Sequence, residues 1–392
     1  MHPDSVNCAS RSNRTSDLNS PSSLDGASQH DAVCSAPTGR SDHRGVVALA
    51  AAAATLALWG PTSWAALPAP TAAQHDAFVG SPEDPPAEEL LGIKGYEGRH
   101  YLAGDEWNGD LWIPHISGLG GGYVGVGADQ AYLFIGWARP DFAWLIDYDV
   151  MVVHLHGVHR AFFLEASDPE AYIRLWSKAK EGGDALKRHA RDEAELKRLE
   201  EIYRRARRTV AGRLRMLRNN LRKKKVAAYL TDATMYTYVR DLILAGRLRA
   251  MSANLLATKG MRGIGDAARA MGVPIRLLYL SNAEQYWRYK ADFRQNIQAL
   301  PFDDKGIVIR TLSTFSINKD YRYVVQPGKV FQDFLAAPWM TGVHQMIPRR
   351  KLEGPEDIEL LVYTRTRAEV EAKRQARQAR RARKGGKANK AE

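Results

Sequence analysis

The chain has 392 residues, with 56 Lys and Arg against 44 Asp and Glu, a net charge of +12 and a pI near 9.6. Its two cysteines, Cys8 and Cys34, precede an apolar run, so the chain beyond that run has no disulfide framework, thiolate nucleophile or cysteine zinc site. No GxSxG, Walker loop or HExxH occurs, which leaves hydrolase, P-loop nucleotidase and zincin chemistry without a motif.

Residues 1–45 are rich in Ser, Asn, Asp and Gly. They bury too little apolar surface to offset the entropy of ordering, and a disordered leader is expected. Val46–Trp59 is short for a bilayer span but fits the apolar region of a secretory signal. Ser63, Trp64 and Ala65 supply the small residues a signal peptidase reads, so cleavage is expected near Ala65 or Ala66. A start near Val33 would leave a short leader carrying Arg40 and Arg44. The mature chain is then expected to be periplasmic or secreted and without a transmembrane span; the alternative is a cytoplasmic protein with an Ala-rich helix.

Residues 67–92 are rich in Pro, Ala and acid and read as a linker into an α/β domain over residues 93–364. Asp105, Glu106 and Asp110 follow among aromatics. They form either a surface turn flanked by buried Trp107 and Trp112, or a lid that brings Glu106 to a pocket.

A β-α-β unit comes next. Gly122–Gly127 reads as a strand ending in glycines, residues 128–138 as a helix stopped by Pro140, and Phe142–Asp147 as a buried strand. Gly125 and Gly127 would let backbone approach a ligand at the strand's carboxyl end, and Asp147, twenty residues past Gly127, suits ribose hydroxyls. Asp129 and Gln130 stand where the GxGxxG fingerprint would end, so a tight turn without a ligand is the other reading.

Val150–Glu165 reads as a helix. Its His154, His156 and His159 lack the i, i+4 spacing of paired ligands, and no metal site is expected. Across 168–236, Leu196, Leu199, Tyr203, Ala206, Val210, Leu214, Leu217 and Leu221 form one apolar stripe at helical spacing. This stripe needs a partner, in the fold or in a second helix. Residues 178–225 carry eighteen Lys or Arg against seven Asp or Glu.

The alternation then resumes. Arg247–Leu256 is a strand ending near Asn254, Lys259–Gly272 a helix, and Val273–Leu280 a strand leading into Ser281, Asn282 and Glu284. A Tyr- and Trp-rich helix, a turn at 300–306, a strand at Ile307–Ser313 and a last strand within 352–365 complete the domain. The pattern predicts a doubly wound, mostly parallel sheet with a long basic helical insertion at 168–236.

Residues 365–392 have eleven basic and three acidic side chains and read as a frayed helix or a disordered tail. The basicity thus belongs to 178–225 and 365–392, while the α/β body is net acidic. Nucleic acid is not indicated; an anionic envelope surface suits the two basic segments as well as solvent does.

GGYVGVGADQ, FAWLID with His156 nine residues past Asp147, HRAFF, RLRAMSANLL, and LYLSNAEQYW with its downstream VIRTLS together resemble an uncharacterised bacterial family marked by GVGxDQ and SNxEQY. That family is similar in fold to class I S-adenosylmethionine-dependent methyltransferases, and the resemblance covers about residues 95–330 apart from the basic stretch. It implies S-adenosylmethionine or a related nucleoside as ligand, held by Gly125, Gly127, Asp129, Gln130, Asp147, Asn254 and Ser281. It also places Glu284, Asn282 or Asp129 to orient a methyl acceptor, since methyl transfer needs alignment more than acid-base machinery. Departures stand at Tyr148–Val152, where the family carries a basic pair and an Asn; at Asn254, where an Asp is common; and at Gly118–Gly122, where an acid usually precedes the loop. They point to an altered ligand or a lost one. Besides methyl transfer, the sequence therefore allows a non-catalytic binding protein on a Rossmann scaffold, and an NAD-type oxidoreductase.

Overall fold

The computed structural model describes residues 67–90, 98–349, 352–354 and 356–388. The apolar run at 46–59 and the expected cleavage positions lie outside the described residues.

Seven strands form one sheet: β1 Gly122–Val126, β2 Phe142–Asp147, β3 Leu248–Ser252, β4 Ile275–Tyr279, β5 Phe302–Ser313, β6 Tyr321–Pro327 and β7 Leu360–Val362. Their order is β3-β2-β1-β4-β5-β6-β7. The pairings among β1 to β5 are parallel, β5 with β6 is antiparallel, and β7 runs parallel to β6. The protein is thus an α/β fold with a mostly parallel sheet. β1 is buried throughout, and β2 is buried as far as Ile146. This is why both read as continuous apolar runs, as strands covered on both faces do.

β1 and β2 are joined by the helix Gln130–Ala138, every residue of which is buried. Arg139 ends it in the left-handed conformation, and Pro140 prevents its continuation. Because β2 and β4 lie on opposite sides of β1, the chain reverses its winding direction there, the place where sheets of this kind ordinarily bind ligands.

Between β2 and β3 the chain forms five helices: Val150–Glu165, Pro169–Ser177, Ala179–His189, Glu193–Lys223 and Ala233–Leu244. The longest has 31 residues and is capped by the Asp192 carboxylate, which accepts the Glu195 N–H at 2.7 Å. Its stripe from Leu199 to Leu221 is buried and packs against Val150–Glu165 and Pro169–Ser177. Each such apolar side chain contributes about 1.5–3 kcal/mol on burial. Close approach depends on Gly157, where a Cβ would stand 2.7 Å from Leu199 Cδ2.

Several elements differ from the sequence pattern. Residues 67–90, linker-like in composition, form the helix Ala72–Val79 with a Thr71–Gln74 capping box. They insert Phe78 into the core, 5.1 Å from the Phe142 ring and 4.8 Å from Trp144. A single anchoring aromatic is invisible to composition. The Tyr- and Trp-rich stretch after β4 is one 3-10 turn, Ala283–Tyr286, and the helix begins only at Ala291. The expected turn at 300–306 is mostly the first part of β5, where the register against β4 is irregular. Arg367–Ala388 is helical. Among the described residues, no helix is long and apolar enough to cross a membrane.

Candidate functional site

The carboxyl edge is built first by the turn after β1. Gly127 has φ +88°, a left-handed conformation that strains any side chain. Its N–H donates to Asp147 Oδ2 at 3.2 Å, while the Asp149 N–H donates to Oδ1 at 2.9 Å. Burial outweighs these bonds and, with the neighbouring Asp149 charge, pushes the Asp147 carboxyl up to about 7. A residue picked out by its spacing therefore titrates near neutrality. Asp149 caps the helix Val150–Glu165 through the Met151 N–H and meets His100 Nδ1 at 2.8 Å.

His156 braces the same turn. Its Nε2 lies 2.9 Å from the Gly127 carbonyl and its Nδ1 2.9 Å from the Tyr132 hydroxyl. A carbonyl only accepts, so Nε2 carries the proton and Tyr132 donates to Nδ1. Burial pushes this imidazole down to about 4, neutral at pH 7. His159 is likewise buried, against the Tyr172 hydroxyl. These histidines hold the interior together.

At the carboxyl ends of β1 and β4 the central group is Glu106, buried and contributed by the segment before β1. Its Oε1 accepts from the Tyr279 hydroxyl at 2.5 Å and from the Ser281 hydroxyl at 3.0 Å. Burial, then the Asp105 charge, raises its pKa against the opposing pull of Tyr279 and Arg213. Ser281 has φ +49°, an uncommon backbone for a non-glycine residue. Gln130 Nε2 donates to the Tyr279 oxygen at 3.3 Å.

Asp129 is fully buried. Its Oδ1 accepts the Gly104 N–H at 2.6 Å, and its Oδ2 accepts from Arg213 Nε at 3.3 Å. Arg213 reaches in from the long helix, lies 4.2 Å from the Trp107 ring centroid, and donates through Nη2 to the Glu106 carbonyl at 2.6 Å. Four buried atoms of this cluster, Glu106 Oε2, Tyr123 Oη, Gln130 Oε1 and Arg213 Nη1, make no hydrogen bond among the described residues. Buried polar atoms ordinarily have a partner, and four without one gather at this end of the sheet.

The residues predicted from sequence divide into three groups. Gly127, Asp129, Gln130, Asp147 and Ser281 are brought to the edge. Gly125 is there too, but the space left by its missing side chain is taken from within the protein: a Cβ would stand 2.0 Å from Tyr123 Oη. Asn254 follows β3, where its Oδ1 accepts the Leu256 N–H and its own N–H donates to the buried Asp84 carboxylate at 2.9 Å. Asn282 is half-buried, with Nδ2 3.4 Å from the Tyr286 hydroxyl.

Glu284, expected to orient an acceptor, is instead fully buried in an ion pair with Arg310 at 2.7 Å. It also accepts from the Tyr289 hydroxyl at 2.7 Å, and Arg310 is held in turn by Gln326 and the Phe331 ring. A carboxylate so occupied cannot serve an acceptor without breaking the core.

Two site residues escape sequence reasoning. Arg213 has a signal, since it stands three and four residues from Val210 and Leu217, on the apolar stripe itself. Asp84 has none, because its role depends on how residues 67–90 fold back.

The family model that matches this chain is a domain of unknown function (DUF7790), over residues 101–380. The chain belongs to this family. No curated protein matches it. The DUF7790 region takes in Glu106, the glycine turn, Asp147, Arg213 and β4 with Ser281, whereas Asp84 and the helix Ala72–Val79 fall before it.

Proposed function

We propose that this protein binds a nucleoside at the carboxyl edge of β1 and β2, on a scaffold like that of class I methyltransferases, without transferring a methyl group. The observation that carries the reading is Asp147. It sits at the tip of β2, twenty residues past the glycine turn and partly open to solvent, where the Gly127 and Asp149 N–H groups fix the direction of its two oxygens. A carboxyl so held can still accept from a ribose hydroxyl. The strand order and the winding reversal beside it favour a ligand here. Asn254, at the end of the adjacent strand, supplies an amide near the base.

S-adenosylmethionine fits this edge in part. The ribose side suits Asp147, but the space along β1 that would take the amino-acid portion is filled by Tyr123, Glu106 and the Asp129–Arg213 pair. With Glu284 in the core and Asp129 neutralised, neither carboxylate named for acceptor positioning is free. Recognition of the nucleoside without the rest follows.

The test is calorimetry with adenosine, S-adenosylmethionine and S-adenosylhomocysteine, on the wild type and on Asp147→Asn. We expect adenosine and S-adenosylhomocysteine to bind within about threefold of each other, and Asp147→Asn to weaken both by roughly tenfold, the worth of about one hydrogen bond. Absence of binding by all three would refute the proposal. S-adenosylhomocysteine binding more than about a hundredfold tighter than adenosine would return the protein to methyl transfer.

A further inference from the structure

Away from that edge, a cavity of about 590 Å³ lies beside β3, between the helices Ala72–Val79 and Val150–Glu165 and the start of the long helix. β3 is a terminal strand of the sheet, so this is a flank of the fold, apart from the carboxyl ends of β1 and β4. Its walls combine apolar side chains, Phe78, Leu199 and Leu248 among them, with the cations Arg160, Arg191 and Arg198.

The charges in these walls do not balance. Arg191 grips Glu195 with two bonds, at 2.8 and 3.0 Å, and Arg160 Nη2 stands 3.6 Å from the same carboxylate. One anion thus serves two guanidinium groups. Arg198 is exposed and has no hydrogen bond or ion pair among the described residues. The other carboxylate in the wall, Glu83, is engaged by Arg249 at 3.0 Å. His154 adds no charge at neutral pH, because burial and the nearby Arg198 push its pKa down.

We propose that this cavity binds a small amphipathic anion, an aryl or alkyl phosphate or carboxylate, with its head group between Arg160 and Arg198 and its apolar body against Leu199 and Leu248. Guanidinium groups in a concave, partly desolvated wall recognise such oxyanions through charge-assisted bonds. The volume is that of a drug-sized ligand, well beyond a single inorganic ion. The apolar side chains give that extra volume a use, since they favour a ligand with a hydrocarbon portion.

The experiment is titration of the full chain with 1-naphthyl phosphate, with 1-naphthol and inorganic phosphate as partial probes. We expect saturable one-to-one binding of naphthyl phosphate, with each partial probe weaker by about tenfold or more, because each loses one of the two contacts. Arg198→Gln, at an exposed position that does not disturb folding, should weaken naphthyl phosphate by about fivefold and leave naphthol unchanged. Arg160→Gln, run beside a melting curve to confirm folding, should weaken it further. Asp147→Asn should leave this binding as it is, so that failure at one site is told apart from failure at the other. Binding of naphthol as tight as that of its phosphate, insensitivity to Arg198→Gln, or no saturation up to about 5 mM would each overturn the proposal.

Discussion

Two buried ion pairs near the sheet's carboxyl end look alike on paper and are built differently. Glu284–Arg310 joins the turn after β4 to β5, with a 2.7 Å contact, a tyrosine on the second carboxylate oxygen, a glutamine on the guanidinium and an aromatic ring over it. Asp129–Arg213 joins the glycine turn to a helix 84 residues away in sequence, at the longer distance of 3.3 Å, and its guanidinium also reaches the Glu106 carbonyl and the Trp107 ring. The first pair holds the core together. The second bridges separate elements where the winding of the sheet reverses. Buried charge alone therefore does not identify a site; the two pairs differ in how closely their own partners hold them.

Substitutions can break this contrast. The largest effect is expected from Arg310→Gln, which strands the Glu284 charge in the core and should cost about 3–5 kcal/mol by denaturant unfolding. A loss under about 1 kcal/mol would mean that the pair is not structural.

Next comes the titration of Asp147. Its carboxyl is raised from 3.8 to about 7 in the folded protein, so the native state holds a proton that the unfolded chain releases. Stability should therefore fall as pH rises from about 4 to about 7, by on the order of 4 kcal/mol from this group. Asp147→Asn should flatten that part of the profile. An unchanged slope between pH 4 and 7 in the variant would assign the effect elsewhere.

Arg213→Gln should cost somewhat less, about 2–3 kcal/mol, because the Gly104 N–H still serves Asp129. Its distinguishing sign is local. Amide exchange should speed up at Gly104 and through residues 105–108, which Arg213 ties down at the Glu106 carbonyl and the Trp107 ring. Uniform destabilisation with no local change would make this pair equivalent to Glu284–Arg310.

Much of the frame could be read without coordinates. The strands β1, β2 and β4 stand out as apolar runs, the glycine turn and Asp147 follow from spacing, and the stripe on the long helix follows from its period. These are local properties, set by burial on both faces of a parallel sheet and by helical geometry. Even Arg213 leaves a trace, as a cation at an apolar position.

Tertiary structure alone decided which polar residues are spent on the protein itself. Glu284 lies in the SNAEQY stretch after β4, yet Arg310 and Tyr289 consume it. Glu106 could be either a surface turn or part of a pocket from sequence, and it is buried because Tyr279 and Ser281 meet it at the end of β4. Residues 67–90 changed from linker to core through the burial of Phe78. The sequence by itself determined the strands β1, β2 and β4, the glycine turn and the acid at the tip of β2, because backbone conformation and burial pattern act over a few residues. Partnership between charges depends on distances across elements, with 84 residues between Asp129 and Arg213, and only the folded chain sets those.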